Sequence, residues 1–284
     1  MEKIWGHIFV ENLRVNPEER YIILTEARFN SKEDREKMAQ IIFETFNVAG
    51  LYIAKQEVLS LYSAGKYTGI AIDSGEDITS FVPIFDGYAI KHAINHIDFG
   101  GRDLTNYMME LLYKIRYKFS KTTEKQLFQK IKENYCYVAL DYQEELKSVE
   151  PIEYVLPDNT KVFIKEERIR CSEFLFGNFQ IRYACLNSIE KCDIDIRKDL
   201  FNNIVLSGGN SMYKGLKERF THDLKYFSRE SEKEEIKVIA LPERKYASWI
   251  GATILSTYSS FKNMWINKNE YDEYGCNLIH RKFF

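Results

Sequence analysis

Apolar residues recur at helical spacing over 31–46, with Met38, Ile41, Ile42 and Phe46 on one face. Ser31 is placed to accept a backbone N–H as the cap, and Glu33 and Asp34 suit the positive end of the helix dipole. A short strand is predicted at 51–53 and a helix over 57–63, ended by Gly65. Two β-branched and aromatic runs, 67–72 and 78–85, flank the polar loop 73–77 and predict a hairpin. Gly100 and Gly101 break the chain before a helix over 104–115, with Leu104, Met108, Leu111 and Leu112 inward. The next helix, over 125–136, carries Lys132 and Glu133, a charge pair expected on a solvated face.

The pattern then changes. Candidate strands at 154–156 and 161–165 are separated by the turn residues Pro157, Asp158 and Asn159. A buried strand at 204–206 leads through Ser207, Gly208, Gly209, Asn210 and Ser211 into a helix expected to run through Met212, Leu216, Phe220 and Leu224. The mixed-charge run 229–235 reads as a surface excursion, followed by a strand at 236–241. An apolar helix over 246–261 places Trp249, Ile250, Ile254, Leu255 and Tyr258 together, and an amphipathic tail ends the chain.

Two of these loops carry candidate chemistry. The loop 73–77 reads either as an ordinary β-turn or as a loop whose amides face a phosphate while Asp73 acts on a cation. The paired glycines Gly208 and Gly209 read either as a tight turn or as an anion- or nucleotide-approach site. Both loops run strand, Ser-Gly, change of direction, a faint internal duplication that would let them face one another across a cleft.

Composition narrows the class. The 284 residues carry 40 Lys+Arg against 42 Asp+Glu, a net charge of −2, so no general pull toward nucleic acid or anionic lipid is expected. A 45% hydrophobic content with 19 Tyr and 19 Phe supplies a substantial core. Five scattered cysteines lack the spacing of a disulfide framework or zinc ribbon; Cys185 and Cys192 could share a metal, but buried reduced thiols are the expectation. The opening residues lack a signal-peptide pattern, and no run of about 18 apolar residues predicts a bilayer span. Together these features predict a cytoplasmic globular protein.

The ordered segments EDREKMAQIIFETFN, DSGEDITSFVPIFDGYAIKHA, GGRDLTNYM, IKENYCYVALD, VLSGGNSMYKGL, LPERKYASWIGATIL and NEYDEYGCNLIHRKFF closely resemble the actin family, collinearly along the chain. The resemblance implies the α/β actin, sugar-kinase and Hsp70 fold (ribonuclease H-like), with 1–63 and 247–284 in the small domain and 64–246 in the large one, 100–176 forming its outer subdomain. It implies ATP or ADP with Mg²⁺ (or Ca²⁺) as cofactors. In that frame Asp73, Ser74 and Gly75 resemble a phosphate loop, with Asp73 reaching the metal through water. Gly208, Gly209, Met212 and Tyr213 resemble the adenosine motif; Lys132 and Glu133 match positions near ribose and base, and Lys245 one beside adenine. Gln56 matches the glutamine that positions the attacking water. Tyr62, Gly65, Gly87, Ile254, Leu255 and Met264 match a groove for the amphipathic helices of actin-binding proteins.

Departures accompany the likeness. The match begins after the family's opening segment, so the small domain is expected to lack its N-terminal part, including the first phosphate loop. Asp77 stands where the family has glycine, Ser80 where it has a histidine near the attacking water, and Phe283 where it has a cysteine; Tyr258 and Ser260 also differ, and 177–187 is shortened at the hydrophobic plug. The implied function is an actin-like cytoskeletal protein that binds ATP and joins actin or actin-like filaments or their regulation, its ATPase weak or absent. The alternatives are a non-polymerising module that engages actin-binding proteins, and a truncated gene product without independent activity.

Overall fold

A computed structural model describes residues 1–26, 30–114, 124–156, 159, 161–177 and 181–283. Positions 157 and 158 of the expected turn, the end of the 104–115 helix and part of the shortened 177–187 segment lie outside the described residues. The chain divides into two compact units, Met1–Ser63 with Ser248–Phe284, and Ala64–Ala247. The strands are β1 (Tyr21–Glu26), β2 (Gly50–Lys55), β3 (Gly69–Ser74), β4 (Thr79–Phe85), β5 (Tyr88–Ala89), β6 (Asn95–Ile97), β7 (Ile152–Val155), β8 (Lys161–Ile164), β9 (Ile204–Ser207), β10 (Val238–Ile239) and β11 (Ile266–Asn267).

In the first unit β1 and β2 run parallel, from Tyr21 opposite Gly50 to Glu26 opposite Lys55, and β11 pairs antiparallel with β2. Ser31 caps the next helix as expected, its Oγ accepting from the Asp34 amide at 2.9 Å. That helix is α-helical over Lys32–Gln40 and widens to a π-helix over Ile41–Thr45. The buried face still follows ordinary helical spacing, displaced by one position from the expected one. Ala39, Phe43 and the expected Ile42 are fully buried, while the expected Met38, Ile41 and Phe46 are half-buried at the margin of that face. Trp5, Phe9, Leu51, Ile53, Tyr271, Ile279 and Phe283 complete this core, with Phe43 stacked on Tyr271 at 4.4 Å.

Charge pins the end of the chain to the same unit. Arg35 donates through Nε to Glu26 at 2.8 Å and through Nη1 to the Phe283 carbonyl at 3.2 Å; its Nη2 also bonds Glu26. Lys282 donates to Glu270 and to the Trp265 carbonyl. The helix expected over 246–261 spans only Ala247–Thr257, with a 3-10 turn at Ser259–Asn263. Its expected apolar face also divides: Leu255 is buried, Ile250 and Ile254 are half-buried, and Trp249 and Tyr258 are exposed.

The second unit is built on a sheet in the order β10-β9-β3-β4-β5, with β6 on β4. The hairpin β3–β4 is antiparallel, whereas β3, β9 and β10 run parallel. Asp73 is paired with Ser207, so the carboxyl ends of β3 and β9 lie side by side. In open α/β sheets ligands bind beyond such strand ends. The core beneath includes Ile70, Phe81, Met108, Phe128, Phe176, Leu206 and Phe220. Strands β7 and β8 form a separate hairpin.

The helix read as starting near Met212 begins at Leu216; a 3-10 turn at Gly209–Ser211 intervenes, and Gly215, with φ +80°, redirects the chain into the helix. Strand β10 is shorter than the predicted 236–241. All five cysteines are free thiols, four of them buried and Cys276 half-buried. Among the described residues no helix is long and apolar enough to cross a membrane, and no three His, Cys, Asp or Glu side chains gather to hold a metal, Cys185 and Cys192 included.

Candidate functional site

The carboxyl ends of β3 and β9 continue into the acidic loop after Ser74 and the glycine turn after Ser207. The two loops meet at their bases, where Gly208 approaches Ser74, and both then line a common cleft. Gly208 has φ +86°, and a Cβ there would lie 2.3 Å from the Ser74 carbonyl oxygen, so only glycine lets the backbones meet. Ser207 Oγ donates to Asp73 Oδ1 at 2.7 Å, and Asn210 Nδ2 to Ser74 Oγ at 3.0 Å.

The acidic loop also lies on the start of the helix Gly101–Lys114. The Gly101 amide donates to the Gly75 carbonyl at 2.9 Å and the Arg102 amide to the Glu76 carbonyl at 2.8 Å. These bonds satisfy helix N-terminal donors that would otherwise lack partners. Gly100 makes the approach possible, since a Cβ there would meet the Glu76 carbonyl at 2.4 Å.

Between these segments opens a cleft of ≈ 410 Å³, lined by Gly75, Glu76, Gly101, Gln129, Lys132, Glu133, Asn134, Gly209, Asn210, Met212, Tyr213 and Lys245. Its volume falls in the range of small-molecule sites. Gln129, Lys132 and Glu133 share one face of the helix Glu124–Tyr135 by their i, i+3, i+4 spacing, and Gln129 donates to Glu133 at 2.9 Å.

Lys132 corrects the sequence reading. It is only 3% exposed, and its Nζ donates to the Gly101 carbonyl at 2.6 Å, while Glu133 alone stays on the exposed face. Burial pushes the Lys132 ammonium below its ordinary value of 10.5 because the charged form has lost water, an effect partly offset by the negative potential of nearby groups including Glu133 and Glu76. Burial likewise drives the Tyr213 phenol well above its usual value; among the described residues its hydroxyl and Asn210 Oδ1 are buried without a partner. Lys245 is exposed at the rim, its stem against Gly209, and Arg244 braces the turn through two bonds to the Ser211 carbonyl.

Of the sequence candidates, Gly75, Lys132, Glu133, Gly209, Met212, Tyr213 and Lys245 line the cleft. Asp73, Ser74 and Gly208 stand behind it in the two loops and are bonded into the protein. The Gly75 amide donates to the Ile78 carbonyl at 3.0 Å and the Gly208 amide to the Arg244 carbonyl at 3.1 Å. Asp77 is turned to Arg102 at 2.9 Å, and Ser80 is buried with Oγ 3.4 Å from the Asp73 carbonyl.

Gln56 belongs to the first unit, exposed at the start of the helix Gln56–Ser63, with Nε2 3.4 Å from Thr25 Oγ1. The groove candidates divide between units: Tyr62, Ile254, Leu255 and Met264 in the first, Gly65 and Gly87 in the second. Glu76, Gly101, Gln129 and Asn134 also line the cleft without standing out as site residues in the sequence, and Asn210 lines it from within the segment 207–213 that resembles the adenosine motif. The helical spacing of Gln129 from Lys132 and Glu133 carried a signal for that residue; Gly101 had been read only as a helix breaker.

The family model for actin matches residues 1–284, and the chain belongs to the actin family. Its mixed α/β sheets and many helices fit the actin-like fold.

Proposed function

We propose that the cleft of the second unit binds an adenine nucleotide, ATP or ADP with Mg²⁺ (or Ca²⁺), and that the protein acts in the cytoplasm as an actin-like cytoskeletal component, in filaments or their regulation. The observation that carries the reading is the cleft itself, which gathers a buried ammonium, a second ammonium at the rim, two carboxylates and the glycine turn after a parallel strand.

The donor set fits the group. Lys132 and Lys245 offer ammonium donors at the end that family membership assigns to ribose and adenine, worth more in a partly desolvated cleft than in water. Glu76 and Glu133 can accept from ribose hydroxyls or an exocyclic amine, and the backbone beside Gly209 admits close approach. Asp73, with Oδ1 already accepting from Ser207, would act on a cation through water. Assignment of phosphate and adenosine ends, and of the units as the family's two domains, rests on family membership. A bound nucleotide would supply a transferable phosphoryl group; in this chain Ser80 is buried and bonded toward Asp73, so we assign the protein weak hydrolysis at most.

Calorimetric titration of the folded chain with Mg-ADP and Mg-ATP tests this. Saturable binding near one site per chain is expected, and absence of saturable heat overturns the reading; sedimentation with and without Mg-ATP tests filament formation. A second reading, a module that docks amphipathic helices, draws on the exposed Trp249, Tyr258 and Met264 of the first unit. Failure of the folded protein to retain profilin or a WH2-type peptide removes it.

A further inference from the structure

A chain of buried polar side chains joins the glycine turn, the end of β3 before the acidic loop, and the backbone just before Gly101, three of the segments around the cleft. Asn210 Nδ2 donates to Ser74 Oγ at 3.0 Å, Ser74 Oγ lies 2.7 Å from Thr79 Oγ1, and Thr79 Oγ1 donates to the Phe99 carbonyl at 2.9 Å. All three side chains are at least nine-tenths buried. The direction of every bond follows from its far end. A carbonyl only accepts, so the single Thr79 proton goes to Phe99. Ser74 must then donate to Thr79, and its oxygen can only accept from Asn210. That requirement places the amide nitrogen, and not Oδ1, against Ser74. One residue thus ties the glycine turn to the acidic loop, and through Thr79 to the backbone two residues before Gly101.

We infer that Asn210 is a positioning residue that sets the spacing of the cleft walls through the relay Asn210–Ser74–Thr79–Phe99. The inference rests on the nucleotide reading for its functional consequence. Thr79 is the revealing member, because it is absent from the cleft lining and still controls two of the three links. Thr79→Val keeps the shape and removes the hydroxyl that pairs with both the Ser74 hydroxyl and the Phe99 carbonyl, in a buried setting.

The test measures Mg-ADP affinity for the wild-type chain, Asn210→Ala, Thr79→Val, the double variant and Thr79→Ser. Each of the first two single variants is expected to bind about tenfold more weakly, as for loss of one buried hydrogen-bond link. The double variant should bind no more weakly than the worse single one, because the relay is already broken. Thr79→Ser restores a hydroxyl and should return affinity to near wild type. Unchanged affinity in Thr79→Val, or losses that add in the double variant, overturns the proposal.

Amide hydrogen exchange of the unliganded proteins separates failure of the relay from failure of the nucleotide reading. Gly101 and Arg102 amides, which donate to the acidic loop, should exchange faster in both broken-relay variants and at the wild-type rate in Thr79→Ser. Unchanged exchange there sinks the relay whether or not nucleotide binds. Faster exchange in a protein without nucleotide affinity retains the relay and removes the nucleotide reading.

Discussion

The two units bury polar groups in different ways. In the first, which buries Glu26, Glu57 and Ser60, Arg35 grips Glu26 from the next helix while also holding the Phe283 carbonyl. In the second, buried Ser74, Thr79, Ser207, Asn210, Ser211 and Lys132 lie around the strand ends and the cleft, while Ser172, Ser188 and Asp223 are buried outside its lining. A buried polar group costs free energy unless bonded. The first unit uses such groups as a clasp on its own chain; the second uses them to hold a concave surface open. Breaking a link should therefore cost stability in the first unit, and stability together with ligand affinity in the second.

The largest effect is expected from Arg35→Met, which strands a Glu26 carboxylate that is 4% exposed. Losing one partner of a buried pair should destabilise the first unit by ~3–5 kcal/mol, read by chemical denaturation. A loss below ~1 kcal/mol would show the clasp to be incidental.

Next is Gly208→Ala, which forces a Cβ against the Ser74 carbonyl at a positive φ. Thermal and chemical unfolding should report ~1–3 kcal/mol of destabilisation, with Mg-ADP affinity falling alongside. Retained affinity in the destabilised variant would separate fold from site and weaken the contrast between the units.

Lys132→Met should weaken Mg-ADP about tenfold or more, the scale of one charge-assisted bond. Its pH signature has a definite sign. Because the folded protein holds the Lys132 proton less tightly than the unfolded chain, the unfolded state binds more protons as pH rises toward 10.5. Lys132 therefore adds stability with rising pH between its depressed folded value and 10.5. Tyr213, whose proton is held more tightly in the fold, acts in the opposite sense above its ordinary value of 10.0. Denaturation of wild type and Lys132→Met across this range isolates the lysine contribution; identical profiles would contradict its burial.

The smallest effect is expected from Lys147→Ala. Its 2.7 Å pair with Glu144 is largely exposed, so stability should change by less than ~0.5 kcal/mol. A larger loss would mean that exposed polar contacts of the second unit matter away from its cleft as well.

Local chemistry made much of the fold legible. The Ser31 cap, the β3–β4 hairpin and the two glycine-bearing loops follow from bonds and conformations within a few residues. The π-widening after Gln40 was not legible, because the apolar spacing was judged against an ordinary α-helix. The same limit misplaced Trp249: helical periodicity gathers apolar residues on a face without specifying which of them a neighbour covers.

The sequence by itself determined family membership, most strand and helix positions, and seven of the residues that line the cleft, because those features reside in short ordered patterns. Tertiary structure decided that Lys132 is buried, since the carbonyl it bonds lies 31 residues away, and that Asn210 reaches Ser74 across 136 residues. A helix face reads as solvated until another segment covers it. The amide of Asn210 has no preferred direction until a distant carbonyl fixes the order of donors and acceptors.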